Sequence, residues 1–406
     1  MEKTRGIGLV PKLLIAIVVG VILGSYAPEA LNRTVITASG LFSSFLRFVI
    51  PIMILAFVTT GIADLSQGAG KLLIVTVGIA YGSTIVAGSI AYSVAITLFP
   101  QFITSSVIDS IGDPEAGMLT PYFTIPLNQI MDVTAAIALA FMLGICISAM
   151  RDRNSGTMLH RFFRELSEAV NMVLSSIIIP LLPLYICGTF VNMTISGQTF
   201  AILNVLWKVF LTVIVLHLCY LLFLFIVSGA ISQKSPIMLM RNQIPGYLSA
   251  IGTQSSAATI PVNLKCAEAD GVSAQIRNFV IPLCANIHMA GSMITITCCV
   301  TAALLMFQMP ITLSLIVPFI LVLGIAMVAS PGAPGGSIMS ALPFLPMVGI
   351  ASDSSIASLL IALYITQDSF GTACNVSGDN AISVVIETIY QRYMKRNEIP
   401  EPACLD

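Results

Sequence analysis

The sequence predicts an all-α polytopic membrane protein with eight transmembrane helices plus two re-entrant helical hairpins. Three observations lead there. Hydrophobic residues fill 57% of the 406 positions and charged residues only 9%, against about 25% charged in a soluble domain. Apolar runs of about 20 residues, the length that crosses a hydrocarbon layer as a helix, recur along the chain. Two later runs are interrupted by Ser-rich or Gly/Pro-rich sequence that a plain span would not carry. A cytosolic enzyme, a secreted domain and a disordered chain are excluded by this composition. The near-neutral balance, 18 basic against 19 acidic residues, gives no ground for a nucleic-acid partner.

The first span covers 9–26, behind Lys3, Arg5 and Lys12. A basic start before an apolar run also fits a cleaved signal peptide, but the many spans that follow favour a first transmembrane helix. Further apolar segments lie at 38–63, 72–99, 118–150, 167–195 and 200–231. Residues 236–262 are less apolar and contain Gln254, Ser255, Ser256, Ala257, Ala258, Thr259, Ile260 and Pro261. A clear span returns at 276–306, and the stretch 310–350 is broken at Ser330-Pro331-Gly332-Ala333-Pro334-Gly335-Gly336-Ser337. The last span, 353–391, precedes a polar tail. Pro and clustered Gly free backbone groups that lipid cannot satisfy. Paired interruptions therefore point to hairpins lining a polar binding site, rather than to two proline-kinked helices.

Basic residues orient the chain. Lys71, the Arg151–Arg164 cluster, Lys234, Arg241 and the Arg392–Arg396 cluster fall on the side of both termini, which places the termini in the cytoplasm. The connection at 101–117 holds Asp109, Asp113 and Glu115 without a basic residue and suits the outside. Nine scattered cysteines show neither CxxC nor Cys/His spacing, so no disulfide framework or zinc site is indicated.

No Lys or Arg occurs from 278 to 391, yet Asp353, Asp368, Asp379 and Glu387 do. Asp368, Thr372, Asn375 and Asp379 fall within roughly 60° of one another on a helix turning 100° per residue. A mid-membrane Asp costs about 2.5–3.5 kcal/mol on insertion scales. Protonation or a cation arriving from solution relieves that cost, and oxygen ligands suit Na+. Ser255, Ser256 and the amides at the 253–259 tip can receive a carboxylate, because helix N-termini and hydroxyls donate. An ammonium at Asp368 and a carboxylate at Asn375 and the Ser tip together describe an amino-acid zwitterion. His288 is either a functional group or a neutral residue bonded to a neighbouring helix, and His217 reads as a packed residue.

The motifs resemble the dicarboxylate/amino acid:cation symporter family, which includes glutamate and neutral amino-acid transporters. Residues 253–262 look like its first hairpin tip, 284–292 like its seventh-helix Asn-Met-Asp-Gly motif and 330–337 like its second hairpin tip. Asn375-Val376-Ser377-Gly378-Asp379 looks like its eighth-helix Asn-Val-Thr-Gly-Asp. Met289-Ala290-Gly291 with Ile294-Thr295-Ile296-Thr297, and Gln367-Asp368-Ser369, resemble the bacterial serine/threonine:sodium symporter branch.

The resemblance implies a homotrimeric elevator fold at the cell's inner (plasma) membrane, with no enzymatic activity and no cofactor beyond the coupling ion Na+. Residues 1–70 and 101–198 would form the scaffold, 71–100 and 199–391 the transport domain, and 392–406 a cytoplasmic tail. Asp368 would bind the substrate amino group, and Asn375 and Ser256 its carboxylate. Thr372, Ser255, Ser292, Ser337 and the backbone at Gln254 and Ala333 would complete the pocket. Asp379, Asn375 and the Cys284 backbone would hold one Na+, and the backbone near Asn286 and Ser330 a second. A further site would fall at Thr84, His288 and Ala290, where the family's Asn and Asp are replaced, so fewer coupled ions are expected.

Acidic-substrate members carry an Arg where this chain has Gly371. An acidic side chain would then be buried unpaired, which is expensive, so a small neutral amino acid (serine, threonine or alanine) is expected. An acidic amino acid or dicarboxylate, and proton coupling through His288, stand as alternatives. An ion channel would more naturally ring a symmetric pore. An intramembrane aspartyl protease needs its two Asp on different helices.

Overall fold

The computed structural model describes residues 9–65, 71–105, 119–131, 133–152, 155–197, 199–328 and 335–394. Among them every regular element is helical. The helices are α1 (Leu9–Tyr26), α2 (Glu29–Leu65), α3 (Lys71–Leu98), α4 (Val133–Asp152) and α5 (Thr157–Ile195), then α6 (Thr199–Ser232), α7 (Pro236–Thr253), α8 (Ser256–Ala269) and α9 (Ala274–Ile287). After these come α10 (Ala290–Met306), α11 (Leu313–Val328), α12 (Gly336–Ala341), a 3-10 segment (Leu342–Val348) and α13 (Ser355–Ile389).

Among the described residues five stretches are long and apolar enough to cross a membrane: Glu29–Thr60, Leu72–Gln101, Thr157–Ile195, Thr199–Ser232 and Ala274–Met306. Several hydroxyls on the outer faces of these helices are satisfied within their own turns. Ser89, Ser93 and Thr97 on the exposed face of α3 each donate to the carbonyl four residues back, at 2.8–2.9 Å. A polar side chain can thus face an apolar surround without an open hydrogen bond. In α5 a π turn (Leu174–Ile178) ends two residues before Pro180, which has no amide proton to give.

Small residues set the tightest crossings. A Cβ on Gly20 would lie 2.7 Å from the Cys187 carbonyl oxygen, and one on Gly188 would lie 2.4 Å from Ser39 Cβ. These glycines let α1 and α2 close onto α5. The second group of helices wraps α13: α6, α7, α9 and α10 all pack on it, and α10 also packs on α3. The α10–α13 crossing is closest at Gly291, whose Cβ would meet the Gly371 carbonyl oxygen at 2.3 Å. Almost every residue of α10 and α13 is buried.

Two features depart from the sequence reading. The fourth apolar segment, expected from 118, becomes helical only at Val133, and the described residues 119–131 before it are irregular. The span expected to run unbroken through 276–306 is two helices with a break at His288–Met289.

Candidate functional site

Helix α13 is capped by Ser354, which accepts the Ala357 amide at 3.2 Å, and runs uninterrupted past all four stripe residues. Asp368, Thr372, Asn375 and Asp379 are each at most 6% exposed. Asp368 Oδ2 accepts the Gly335 amide at 2.6 Å, and Thr372 donates to Asp368 Oδ1 at 3.5 Å. The Tyr364 hydroxyl reaches Asp368, Ser337 and Ser292, donating to Ser292 Oγ at 2.9 Å. Asp368 therefore receives donors from its own helix and from the second hairpin. Among the described residues no Lys or Arg forms an ion pair with Asp368 or Asp379.

The break at His288–Met289 opens directly onto this stripe. Its freed amides are taken up from other helices, as buried donors must be. Met289 N donates to Thr84 Oγ1 at 3.3 Å, and Gly291 N and Ser292 N donate to Asn375 Oδ1 at 2.8 and 3.3 Å. Asn375 Nδ2 in turn donates to Ser292 Oγ at 3.0 Å. Asn375, read from the sequence as a substrate and ion ligand, here caps α10 from the side. His288 is fully enclosed between Asp379 Oδ1 and Ser83 Oγ, both at 3.0 Å. Nδ1 donates to the carboxylate, since a carboxylate oxygen only accepts. Ser83 Oγ lies 2.8 Å from the Tyr220 hydroxyl, and that hydroxyl donates to the Ser83 carbonyl at 2.7 Å.

Asp379 Oδ2 is buried without a hydrogen-bond partner. Helix α9 ends next to it, and the last carbonyls of a helix have no intrahelical donor. The Cys284 carbonyl accepts the His288 amide at 2.9 Å, while the Asn286 side chain is exposed and donates to the Pro282 carbonyl at 3.0 Å. A buried anionic oxygen beside helix-terminal carbonyls is a donor set that fits a hard cation such as Na+. Ala333 and Ser330 lie outside the described residues.

The first hairpin is α7 and α8, turned at Gln254 with φ 53°. Gln254 Nε2 donates to Ser369 Oγ at 2.9 Å, one residue from Asp368. Ser255 caps α8 by accepting the Ala258 amide at 3.2 Å, and Ser256 is buried in the first turn behind it. The two hairpins thus arrive at adjacent residues, 368 and 369, of α13. Gly371 faces the opposite helix: a Cβ there would sit 3.5 Å from Thr295 Oγ1 and 3.6 Å from the Gly291 carbonyl carbon. His217 Nε2 donates to the Gly291 carbonyl at 3.0 Å and lies 3.1 Å from Thr295 Oγ1, while its Nδ1 has no partner.

Sequence reasoning missed a second polar cluster holding the first hairpin to α13. Gln243 Nε2 donates to Asn263 Oδ1 at 3.0 Å, and Asn263 Nδ2 donates to the Val376 carbonyl at 2.9 Å. Asn380 Nδ2 donates to Gln243 Oε1 and to Asp270 Oδ2, at 2.8 and 2.7 Å. Asn242 donates to Asp270 Oδ1 at 2.8 Å, and Lys234 Nζ to the Asp270 carbonyl. Burial pushes the Asp270 carboxyl up, while Asn242, Asn380 and Lys234 pull it down. A signal was present: Asn380 and Ser383 continue the polar side of the last span beyond Asp379.

Carboxylates buried at a broken helix between two hairpins are what a membrane cation symporter needs, and the family comparison decides the matter. The sodium:dicarboxylate symporter family model matches residues 9–389. The chain belongs to that family. It is a multi-pass membrane transporter of a sodium-coupled family, not an enzyme, and Na+ is its coupling ion.

Proposed function

We propose that this symporter takes up a small neutral amino acid (serine, threonine or alanine) with Na+. The observation that carries this reading is position 371. It is a glycine, and among the described residues no Lys or Arg forms an ion pair with Asp368 or Asp379, whose basic neighbour is His288 on Asp379 alone. A substrate ammonium balances Asp368, and Na+ balances the open oxygen of Asp379. A second carboxylate on the substrate would have no partner, and burying an unpaired charge is costly.

In this reading the amino group displaces the Gly335 amide from Asp368, so substrate binding and the second hairpin's position are linked. Helices α1, α2, α4 and α5 form the scaffold of a homotrimer with cytoplasmic termini. The remaining helices shift across the membrane as an elevator, with eight spans and two re-entrant hairpins. The proposal draws support from the two packing groups, one in which α1 and α2 pack on α5 and α4 on α2, and one around α13.

Uptake competition in proteoliposomes, with a panel of amino acids and dicarboxylates and with or without Na+, tests it. Serine, threonine or alanine should compete at concentrations where aspartate does not. Potent aspartate inhibition without any effect of serine would overturn the assignment. The contact distances at Gly371 admit a Cβ, so Gly371→Arg should gain inhibition by aspartate.

A further inference from the structure

Helix α3 carries six Ser and Thr hydroxyls. Five of them, on Thr76, Thr84, Ser89, Ser93 and Thr97, donate to the carbonyl four residues back, at 2.7–3.0 Å. Ser83 does not follow that pattern. Its Oγ lies 3.0 Å from His288 Nε2 and 2.8 Å from the Tyr220 hydroxyl of α6. Tyr220, 2% exposed, also donates to the Ser83 carbonyl at 2.7 Å and so pins the residue from a third helix. The local carbonyl is the ordinary partner of a helix hydroxyl. A hydroxyl turned instead toward a ring nitrogen is held there by its tertiary contacts.

Nδ1 of His288 donates to Asp379 Oδ1 at 3.0 Å. A neutral imidazole carries one N–H, so Nε2 is then an acceptor, and the Ser83 hydroxyl is the donor that faces it. The partner of one ring nitrogen sets the state of the other, and Ser83 thereby selects the tautomer that donates to Asp379. The ring lies against α13 because residue 378 is glycine: a Cβ there would overlap His288 Cε1 and stand 3.1 Å from Nδ1. With both nitrogens engaged, His288 offers no lone pair to an ion. Thr84 beside it donates to the Ala80 carbonyl and accepts the Met289 amide, and residue 290 is alanine. The place where the sequence suggested a further cation is taken up by a hydrogen-bonded ring.

We propose that His288 is a positioning residue of the sodium site, acting through Asp379, with Ser83 and Tyr220 holding it in the donating tautomer. The proposal rests on the reading of Asp379 as a Na+ ligand and not on the identity of the transported substrate. A carboxylate turns easily about its last bond. The hydrogen bond to Oδ1 stops that turn and leaves Oδ2, which has no partner, as the oxygen offered to the ion beside the end of α9. Removing a partner that orients a ligating group lowers metal affinity by about 10–100-fold.

Two readouts on the purified full chain test this. One is the Na+ concentration giving half of the rise in melting temperature without substrate, with choline as the replacing cation at constant chloride. The other is the Na+ concentration giving half-maximal uptake in proteoliposomes. His288→Ala should raise both half-points by about 10-fold or more, while uptake at saturating Na+ changes less than the half-point does. His288→Asn places an amide N–H where Nδ1 stands and should recover most of that affinity. His288→Gln places it where Nε2 stands and should not. Ser83→Ala removes one oxygen on the far side of the ring and should shift both half-points the same way by a smaller factor, with Ser83→Thr restoring them; it carries the test if His288→Ala does not fold. Asp379→Asn should raise the half-points at least as far as His288→Ala. Unchanged half-points in Asp379→Asn remove that carboxylate from the sodium site and overturn the proposal with it. Half-points raised in Asp379→Asn but not in His288→Ala or Ser83→Ala overturn the proposal alone. So does a loss in His288→Asn equal to that in His288→Ala, because the donated proton would then not be what the site needs.

Discussion

The two hairpins reach neighbouring residues of α13 but are attached to it by different physics. The first is tied by a buried network through Gln243, Asn263, Asp270 and Asn380, and by Gln254 at its tip. In the second, α11 is apolar throughout except for Ser314, and its described bond to a neighbour runs from the Tyr81 hydroxyl of α3 to the Leu321 carbonyl. Its polar contact with α13 among the described residues is the Gly335 amide on Asp368, joined by Ser337 beside Tyr364. Buried hydrogen bonds are directional, and a broken one leaves an unpaired group at a cost of about 1–3 kcal/mol. Apolar surfaces carry no such register. The first hairpin is therefore built as a fixed wall, and the second is held mainly where the substrate ammonium is proposed to bind.

The largest test of this contrast is Asp368→Asn. It removes the carboxylate that meets both the second hairpin and the proposed ammonium, and Na+-driven uptake should fall by about 100-fold or more, the scale of about 2.7 kcal/mol. Residual uptake above a tenth of wild type would detach the substrate from Asp368. Asn380→Ala comes next. It leaves Gln243 Oε1 and Asp270 Oδ2 without a shared donor and should cost about 1–3 kcal/mol of stability. It should also speed amide exchange in α7 and α8 while leaving α11 and α12 unchanged, so a uniform rise across both hairpins would break the comparison.

Gly335→Ala acts on the second hairpin alone. Gly335 has φ 76°, a conformation that costs an L-residue about 1–2 kcal/mol. The expected result is a several-fold change in substrate KM with the first hairpin's exchange unaltered. The smallest effect is expected from Gln254→Ala, which deletes one bond to Ser369 and should lower stability by about 0.5–1.5 kcal/mol. A larger loss than from Asn380→Ala would show that the tip, not the network, fixes the first hairpin.

Much of this was legible in the sequence because it depends on local repetition. Apolar run length marked the spans, and helical spacing placed Asp368, Thr372, Asn375 and Asp379 on one buried side of one helix. The absence of basic residues from 278 to 391 already left the acids in need of a cation. Partners were not legible, since each comes from a distant part of the chain. Periodicity along α13 says nothing of where α3 or α10 will cross it. The break at His288–Met289 carries no Pro or Gly at those two positions and was invisible for that reason. Only the packed helices decided that Asn375 caps α10, that His288 sits between Ser83 and Asp379, and that Gly291 meets Gly371. The sequence by itself determined the class of protein, the buried acids and the missing Arg. Tertiary structure decided which donors each acid receives, because a hydrogen bond spans about 3 Å and only the crossing of helices brings its two ends that close.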